Sequence, residues 1–326
     1  MRVLLLLTAC SGITALQAQV YKSSGPLVHT FSIVARDSAT GEMAVGVQSH
    51  WFSVGTSVAW GESGTGVVAT QSFIDKSYGP KGLALMKSGL TAQQALDSLL
   101  KADEAREVRQ VAFIDNKGNV AAHTGKNCIQ YASDIKGANF SVQSNMMLGK
   151  TVCESMAAAF KASHTKPLAE RVLAALDAAQ TAGGDIRGMQ SAALIVVNGT
   201  AADAWNDKLI DVRVDDNPQP LKELRRLYNL YVAYQHMNNG DLATEKNDME
   251  KAMNEYNAAM KMFPENLEMQ YWTAITLANN KRLEEALPML KKIFAADKNW
   301  KELTKRLPAV KLLTVTGDAL KQILAQ

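Results

Sequence analysis

Four short strand-like runs between residues 31 and 72 are joined by turns of only a few residues, and this pairing limits the fold more than any other feature. Residues 31–36 are β-branched and apolar, Asp37-Ser38-Ala39-Thr40-Gly41-Glu42 is turn chemistry, and 43–49 is strand-like again, so the three read as a hairpin. Residues 55–60 and 66–72 make a second pair, hinged at Glu62-Ser63-Gly64. Strands so rich in Gly, Val and Ala fit a sheet buried on both faces.

Helical periodicity follows. Residues 79–88 place Leu83, Leu85 and Met86 before Gly89, and 91–102 open on a threonine cap with Ala95, Leu96, Leu99 and Leu100 on one face. A hairpin is expected over 109–124, turning at Asn116-Lys117-Gly118-Asn119, then a strand over 140–146. Helices over 151–161 and 167–182, the second closed by Gly183-Gly184, precede strands over 191–197 and 209–214. Hairpin-built sheets with helices grouped between them predict an α+β layered domain, not an alternating parallel sheet. Asp215-Asp216-Asn217-Pro218-Gln219-Pro220 reads as a linker; its acidic residues could touch a cation, but a Pro-rich connection accounts for them.

From residue 221 the chain is helical and repeats itself. Ala252, Tyr256, Met260 and Pro264 recur 34 residues later as Ala286, Leu290, Phe294 and Lys298, the period and pattern of a tetratricopeptide repeat. Trp272, Ala274 and Leu277 fill the intervening helix, an insertion is expected near 240–247, and a capping helix over 314–324. An all-α domain over 221–326 is therefore expected, with a groove for a peptide or partner protein, or else a helical cap.

The first 18 residues read as a secretory signal peptide: Met1-Arg2, the apolar Val3-Leu4-Leu5-Leu6-Leu7, and a small-residue end at Ala18. Export to the periplasm or beyond is expected, with 19–29 as a lead-in. Leu7-Thr8-Ala9-Cys10 also reads as a lipoprotein box that would put a lipid on Cys10. Beyond the leader nothing is apolar and long enough to span a membrane. Lys and Arg number 18 against 19 acidic residues in 19–220, and 16 against 13 in 221–326, without the concentrated positive field that nucleic-acid binding needs. Cys128 and Cys153 remain after the leader; free thiols and a disulfide are both open.

Familiar catalytic motifs are absent: no His-Glu-x-x-His, paired Cys-x-x-Cys, G-x-S-x-G elbow or Walker loop, and histidines 29, 50, 123, 164 and 236 are scattered. No metal or cofactor is expected. Thr30, at the start of the first strand, is of another kind. A threonine that becomes the first residue of a mature chain has a hydroxyl nucleophile beside a free α-amine that can take its proton.

Thr30-Phe31-Ser32-Ile33-Val34-Ala35-Arg36-Asp37, Val47-Gln48-Ser49-His50, Ala69-Thr70-Gln71-Ser72 and Tyr78-Gly79-Pro80-Lys81-Gly82 resemble the bacterial DUF1028 family. So do Arg109-Gln110-Val111, Gln143-x-Asn145-Met146, Gly183-Gly184-Asp185-x-Arg187-Gly188 with Gln190-Ser191-Ala192-Ala193, and Val212-Arg213-Val214-Asp215-Asp216. The resemblance runs in order over roughly 29–228 and implies an Ntn-hydrolase-like fold over 30–220: a four-layer αββα sandwich of antiparallel sheets. It further implies an amidohydrolase acting on a small or peptide-like substrate. Thr30 Oγ would be the nucleophile, its own α-amine (pKa roughly 7.7–8.0) the general base, and Asn145 or a backbone N–H the oxyanion donor.

Short relatives open Met-Thr-Phe-Ser-Ile, so that methionine removal exposes the threonine; here eleven residues, 19–29, would still precede Thr30. Either the chain cuts itself after His29, another protease trims it, or Thr30 stays blocked and the domain is a binding or scaffold module. His50, Gln71, Ser72 and Asp75, at strand ends, are candidate substrate contacts. Asp185 and Arg187 either clamp a polar substrate or pair with each other to hold a glycine-rich turn.

Overall fold

The computed structural model describes residues 27–28 and 30–326, so the leader and Cys10 lie outside the described residues. The chain divides into two compact units between Leu221 and Lys222.

The first unit holds two antiparallel sheets. One contains β1 (Leu27–Val28), β4 (Ala59–Glu62), β5 (Gly66–Phe73), β6 (Arg109–Asp115) and β7 (Val120–Thr124). In it β5 is bordered by β6 on one side and by β4 and β1 in succession on the other. The second sheet contains β2 (Thr30–Arg36), β3 (Met43–Ser49), β8 (Ser133–Gly137), β9 (Phe140–Ser144), β10 (Ser191–Val197) and β11 (Lys208–Val214), in the order β11-β10-β3-β2-β9-β8. The four strands expected before residue 73 thus serve two sheets. Their first hairpin opens the second sheet and their next enters the first. Residues 55 and 56, expected in a strand, lie in a 3₁₀ turn over Val54–Thr56 instead. β8 was not foreseen: Ser-Asp-Ile-Lys-Gly is a partly exposed edge strand with no apolar alternation to announce it.

The sheets stack through a dry core that includes Val34, Val45, Val47, Val67, Ala69, Ala112, Ile114, Ala193 and Ile195. Alternate residues face outward onto helices, as the two-residue period of a strand dictates. Val68, Val111 and Phe113 meet α1 (Tyr78–Lys87) and α2 (Ala92–Ala102). The capping box at α2 is Thr91 with Gln94. On the other side α3 (Val152–Ala162) and α4 (Leu168–Thr181) cover the second sheet, completing the αββα layers.

Glycines set the layer spacing. A Cβ on Gly46 of β3 would lie 2.3 Å from Val172 Cγ1 of α4, one on Gly79 2.4 Å from the Trp60 ring, and one on Gly82 2.5 Å from Phe113 Cζ. The Tyr78-Gly79-Pro80-Lys81-Gly82 motif is thus the contact face of α1, with its glycines three residues apart on the side toward the sheet.

The second unit is helical: α5 (Pro220–Glu245), α6 (Met249–Met262), α7 (Leu267–Asn279), α8 (Leu283–Ala296), α9 (Lys298–Arg306) and α10 (Gly317–Ala325). The repeat residues are its core, Ala252 and Tyr256 in one cluster and Ala286, Leu290 and Phe294 in another. The insertion expected near 240–247 is not a separate loop, because α5 runs unbroken to Glu245. Gly240 sits inside that helix because the Tyr256 ring packs 2.4 Å from where its Cβ would be.

Gly82→Val drives a branched side chain into the buried Phe113 ring. It should cost about 1–3 kcal/mol, measured as a lowered denaturant midpoint for the first unit.

Candidate functional site

Thr30 begins β2 and its side chain is wholly buried. Strand alternation turns Thr30, Ser32 and Val34 toward the other sheet, as the bond between the Ser32 hydroxyl and Gln71 confirms. Here the space between the sheets is filled by amides instead of aliphatic groups. Gln71 of β5 donates from Nε2 to the Thr30 carbonyl (3.2 Å) and to Gln110 Oε1 (2.7 Å), and its Oε1 accepts from Ser32 (2.6 Å). Gln143 Nε2 donates to the Ser32 hydroxyl at 2.7 Å. Asn145 approaches the Thr30 carbonyl with its backbone N–H (3.1 Å) and with Nδ2 (3.4 Å), while Nδ2 also donates to Gln110 Oε1 at 2.9 Å.

Gln110 is the hub. Its Oε1 takes both of those amide donors, and its Nε2 donates to Thr124 Oγ1 (3.0 Å) and to the carbonyls of Ser133 (3.2 Å) and Ser144 (2.9 Å). Thr124 passes its own proton on to Asp134 at 2.6 Å. None of the Gln71, Gln110, Gln143 and Asn145 side chains is exposed. Burial of these amides is compensated by matched partners, which Gln71, Gln110 and Asn145 find across the sheet gap and Gln143 finds in Ser32 and Ser141 of its own sheet.

The segment ahead of Thr30 also joins the two sheets. β1 pairs antiparallel with the end of β5, Leu27 opposite Phe73 and Val28 opposite Ser72, while β2 belongs to the other sheet. One residue therefore carries the chain from one sheet to the other, and it is the residue whose carbonyl forms the peptide bond with Thr30. The end of β5 is braced from behind. Ser72 holds φ at +71°. Its register partner Arg109 is buried and donates to the Phe73 carbonyl at 2.5 Å and to Asp103 at 2.8 Å. Burial would raise the Asp103 carboxyl; the Arg109 bond, the Ala105 N–H and the Tyr78 hydroxyl outweigh it and leave it below the ordinary value. Burial and the Asp103 charge push the Tyr78 phenol up.

The other sequence candidates are dispersed. Gln71 lies in the network, and Ser72 next to it in the strained strand end. Asp75 sits in the turn that starts α1, where its carboxylate accepts the Ser77 N–H at 2.8 Å. Asp185 and Arg187 pair with each other, Nη2 to Oδ2 at 2.7 Å and Nε to Oδ1 at 3.0 Å, and Asp185 also accepts the His50 backbone N–H at 3.2 Å. The His50 ring is exposed, with Nδ1 3.4 Å from the Met189 carbonyl. These three hold loops together at the strand ends. Cys128 and Cys153 are free thiols. Burial pushes both up, which keeps them protonated near neutrality. Gln110, Ser32, Gln143 and Thr124 were not singled out. Ser32 alone lies between two apolar neighbours; Gln110, Gln143 and Thr124 each have a polar or glycine neighbour and carry no such local signal.

The family model whose description reads "Family of unknown function (DUF1028)" matches residues 30–224. The chain belongs to the DUF1028 family. A tetratricopeptide-repeat model matches residues 243–307. The crystal structure of a DUF1028 protein from Silicibacter pomeroyi is similar to the first unit: 30% identity, a TM-score of 0.56, and coverage of 61% of this chain and 88% of that one. Nothing among curated proteins matches. No helix among the described residues is long and apolar enough to cross a membrane.

Two outcomes check this geometry. Gln110→Leu strands the Gln71 and Asn145 donors in a dry gap and should lower stability by roughly 2–3 kcal/mol, read by chemical denaturation. Asp103→Asn removes the partner of a buried guanidinium and should cost about 3 kcal/mol at pH 7. Because the folded Asp103 carboxyl lies below its unfolded value, its stabilisation is complete above about pH 4 and is lost as pH falls through the folded value. Thermal midpoints of wild type and variant should therefore converge in acid.

Proposed function

We propose that this DUF1028 protein is an exported amidohydrolase of the N-terminal-nucleophile type, cleaving the C–N bond of a small or peptide-like amide. The observation that carries the reading is the position of Thr30. It opens a central strand, faces the gap between the sheets, and has its carbonyl held by Gln71 and Asn145. Cleavage after residue 29 would turn the Thr30 nitrogen into a primary amine beside its own hydroxyl, giving nucleophile and base in one residue. In self-cleavage the hydroxyl oxygen attacks the carbonyl of residue 29, the C–N bond breaks, and the hydroxyl proton passes to the departing nitrogen, which becomes the amine. Water then hydrolyses the resulting ester, releasing the carboxylate of residue 29 and restoring the Thr30 hydroxyl. Asn145 is a candidate oxyanion donor, a role that requires its Nδ2 to exchange one of its present acceptors, Gln110 Oε1 or the Thr30 carbonyl, for the oxyanion.

A second reading has its own support. Thr30 is buried and its nitrogen lies in a peptide bond behind paired β1. A chain that stays so is a non-catalytic exported ligand-binding or scaffold protein. In that reading the tetratricopeptide match supports a partner-binding role for 221–326. The signal peptide read over residues 1–18 supports export in either version.

Intact-mass and N-terminal analysis of the mature protein decides between them. The hydrolase reading expects a species that begins at Thr30, and loss of amide hydrolysis by roughly 10³-fold or more in Thr30→Ala with the fold intact. A mature chain beginning at Gln19 with no Thr30 species, and an indifferent Thr30→Ala, would establish the scaffold.

A further inference from the structure

The upper end of β5 has an edge that only the upstream segment covers. β4 lies along β5 from Gly66 to Ala69, and the Thr70 N–H is taken by the Val58 carbonyl. Beyond that point β4 is no longer alongside, and the neighbour at Ser72 and Phe73 is β1. Take β1 away and that end of β5 loses its strand partner on this side. That edge is built to hold its shape. Ser72 is fixed in a left-handed conformation, and Arg109, itself held by Asp103, bonds to the Phe73 carbonyl. A pre-shaped edge binds an extended chain with less ordering cost than a loose one.

We propose that the Ser72–Phe73 edge of β5 is a docking site for extended peptide backbone, occupied in this state by residues 27–28 and, in a chain that begins at Thr30, by the acyl side of a peptide substrate. The substrate role rests on the hydrolase reading; the docking itself does not. Recognition is by strand addition, in which main-chain hydrogen bonds supply the affinity. The geometry of delivery follows from the connection. One residue separates β1 from Thr30, and adjacent Cα atoms are about 3.8 Å apart. A peptide docked in the place of β1 brings the carbonyl of its next residue to Thr30. The ligand class is thus an extended peptide with an unblocked backbone amide, at the position that faces β5, ahead of the bond to be cut.

The test uses a chain that begins Met-Thr30, from which methionine removal leaves Thr30 first, in wild-type and Thr30→Ala forms. The family match starts at Thr30, and ten of the eleven strands and every helix lie downstream of residue 29. The probe is a fluorescent peptide of residues 25–29, Gly-Pro-Leu-Val-His. Saturable one-to-one binding to both forms is expected, weakened by about tenfold or more when the Leu and Val nitrogens of the peptide are methylated. The full chain, whose edge is filled, should bind far more weakly. Absence of binding to the folded shortened chain, or binding indifferent to methylation, would overturn the proposal. If the shortened chain does not fold, Val28→Pro in the full chain opens the edge instead, and failure of the probe to bind there overturns it equally. Hydrolysis is read on the same peptide with a fluorophore amide-linked to the His carboxyl, because the pentapeptide itself has no bond there to cut; binding of that peptide without release of the fluorophore would remove the catalytic reading and leave the docking site standing. Hydrolysis without sensitivity to methylation would do the reverse.

Discussion

Where the two sheets approach Thr30, they are held by hydrogen bonds between buried amides, and the geometry of the site depends on that fact. Elsewhere the gap is filled by Val, Ile and Ala, which bind without direction. Around Thr30 the contacts are Gln71 to the Thr30 carbonyl, Ser32 to Gln71, and Gln110 to Gln71 and Asn145. Such bonds fix distance and angle together, and each buried donor without a partner costs free energy. A strand start held this way cannot slide or rotate independently of the opposite sheet. The price of that precision is a polar cluster in a dry place, and it is sustainable because Gln110 can serve two donors with one oxygen and three acceptors with one nitrogen, through three-centre bonds.

Much of the layer order could be read from residues alone, because it rests on local signals. The 37–42 turn, the Thr91 cap and the apolar faces of α2 and α4 each reflect a rule about a few neighbours. Assignment of hairpins to sheets was a different matter. The first two hairpins are similar in composition, yet one joins β10 and β9 through β3 and β2, and the other joins β6. Only contacts distant in sequence decide that. β8 has no apolar period because an exposed edge strand needs none, and Gly240, where an insertion is expected, lies inside a helix because the Tyr256 ring must come close.

The candidate site was legible in part for the same reason. Thr30 drew attention through its chemistry and position at a strand start. Gln71 and Asn145 were named too, but from strand ends and a resemblance, without the contacts that unite them. Gln110 looked like one polar residue in an apolar strand, and its importance lies in partners from β5, β7, β8 and β9. His50, Asp185 and Arg187 share a motif-rich region, yet their bonds close on one another and on the backbone. A short sequence motif and a shared site are different things here: the first reports a turn that must be tied down, the second requires side chains from several strands.

The same constraint bears on how a buried threonine could work at all. In the uncut chain β1, ahead of Thr30, pairs with β5 in one sheet, and β2, which Thr30 opens, pairs with β3 and β9 in the other. Severing the bond between residue 29 and Thr30 would remove a covalent tie between the sheets but none of the bonds from Gln71 and Asn145 to the Thr30 carbonyl, since these lie on the downstream side. The threonine would keep its place while its nitrogen gained the freedom to act as a base. The upstream strand, left with only its short pairing to β5, would be the piece that departs. The fold therefore distributes its restraints unevenly about one peptide bond, and that unevenness is what a cleavage-activated site requires.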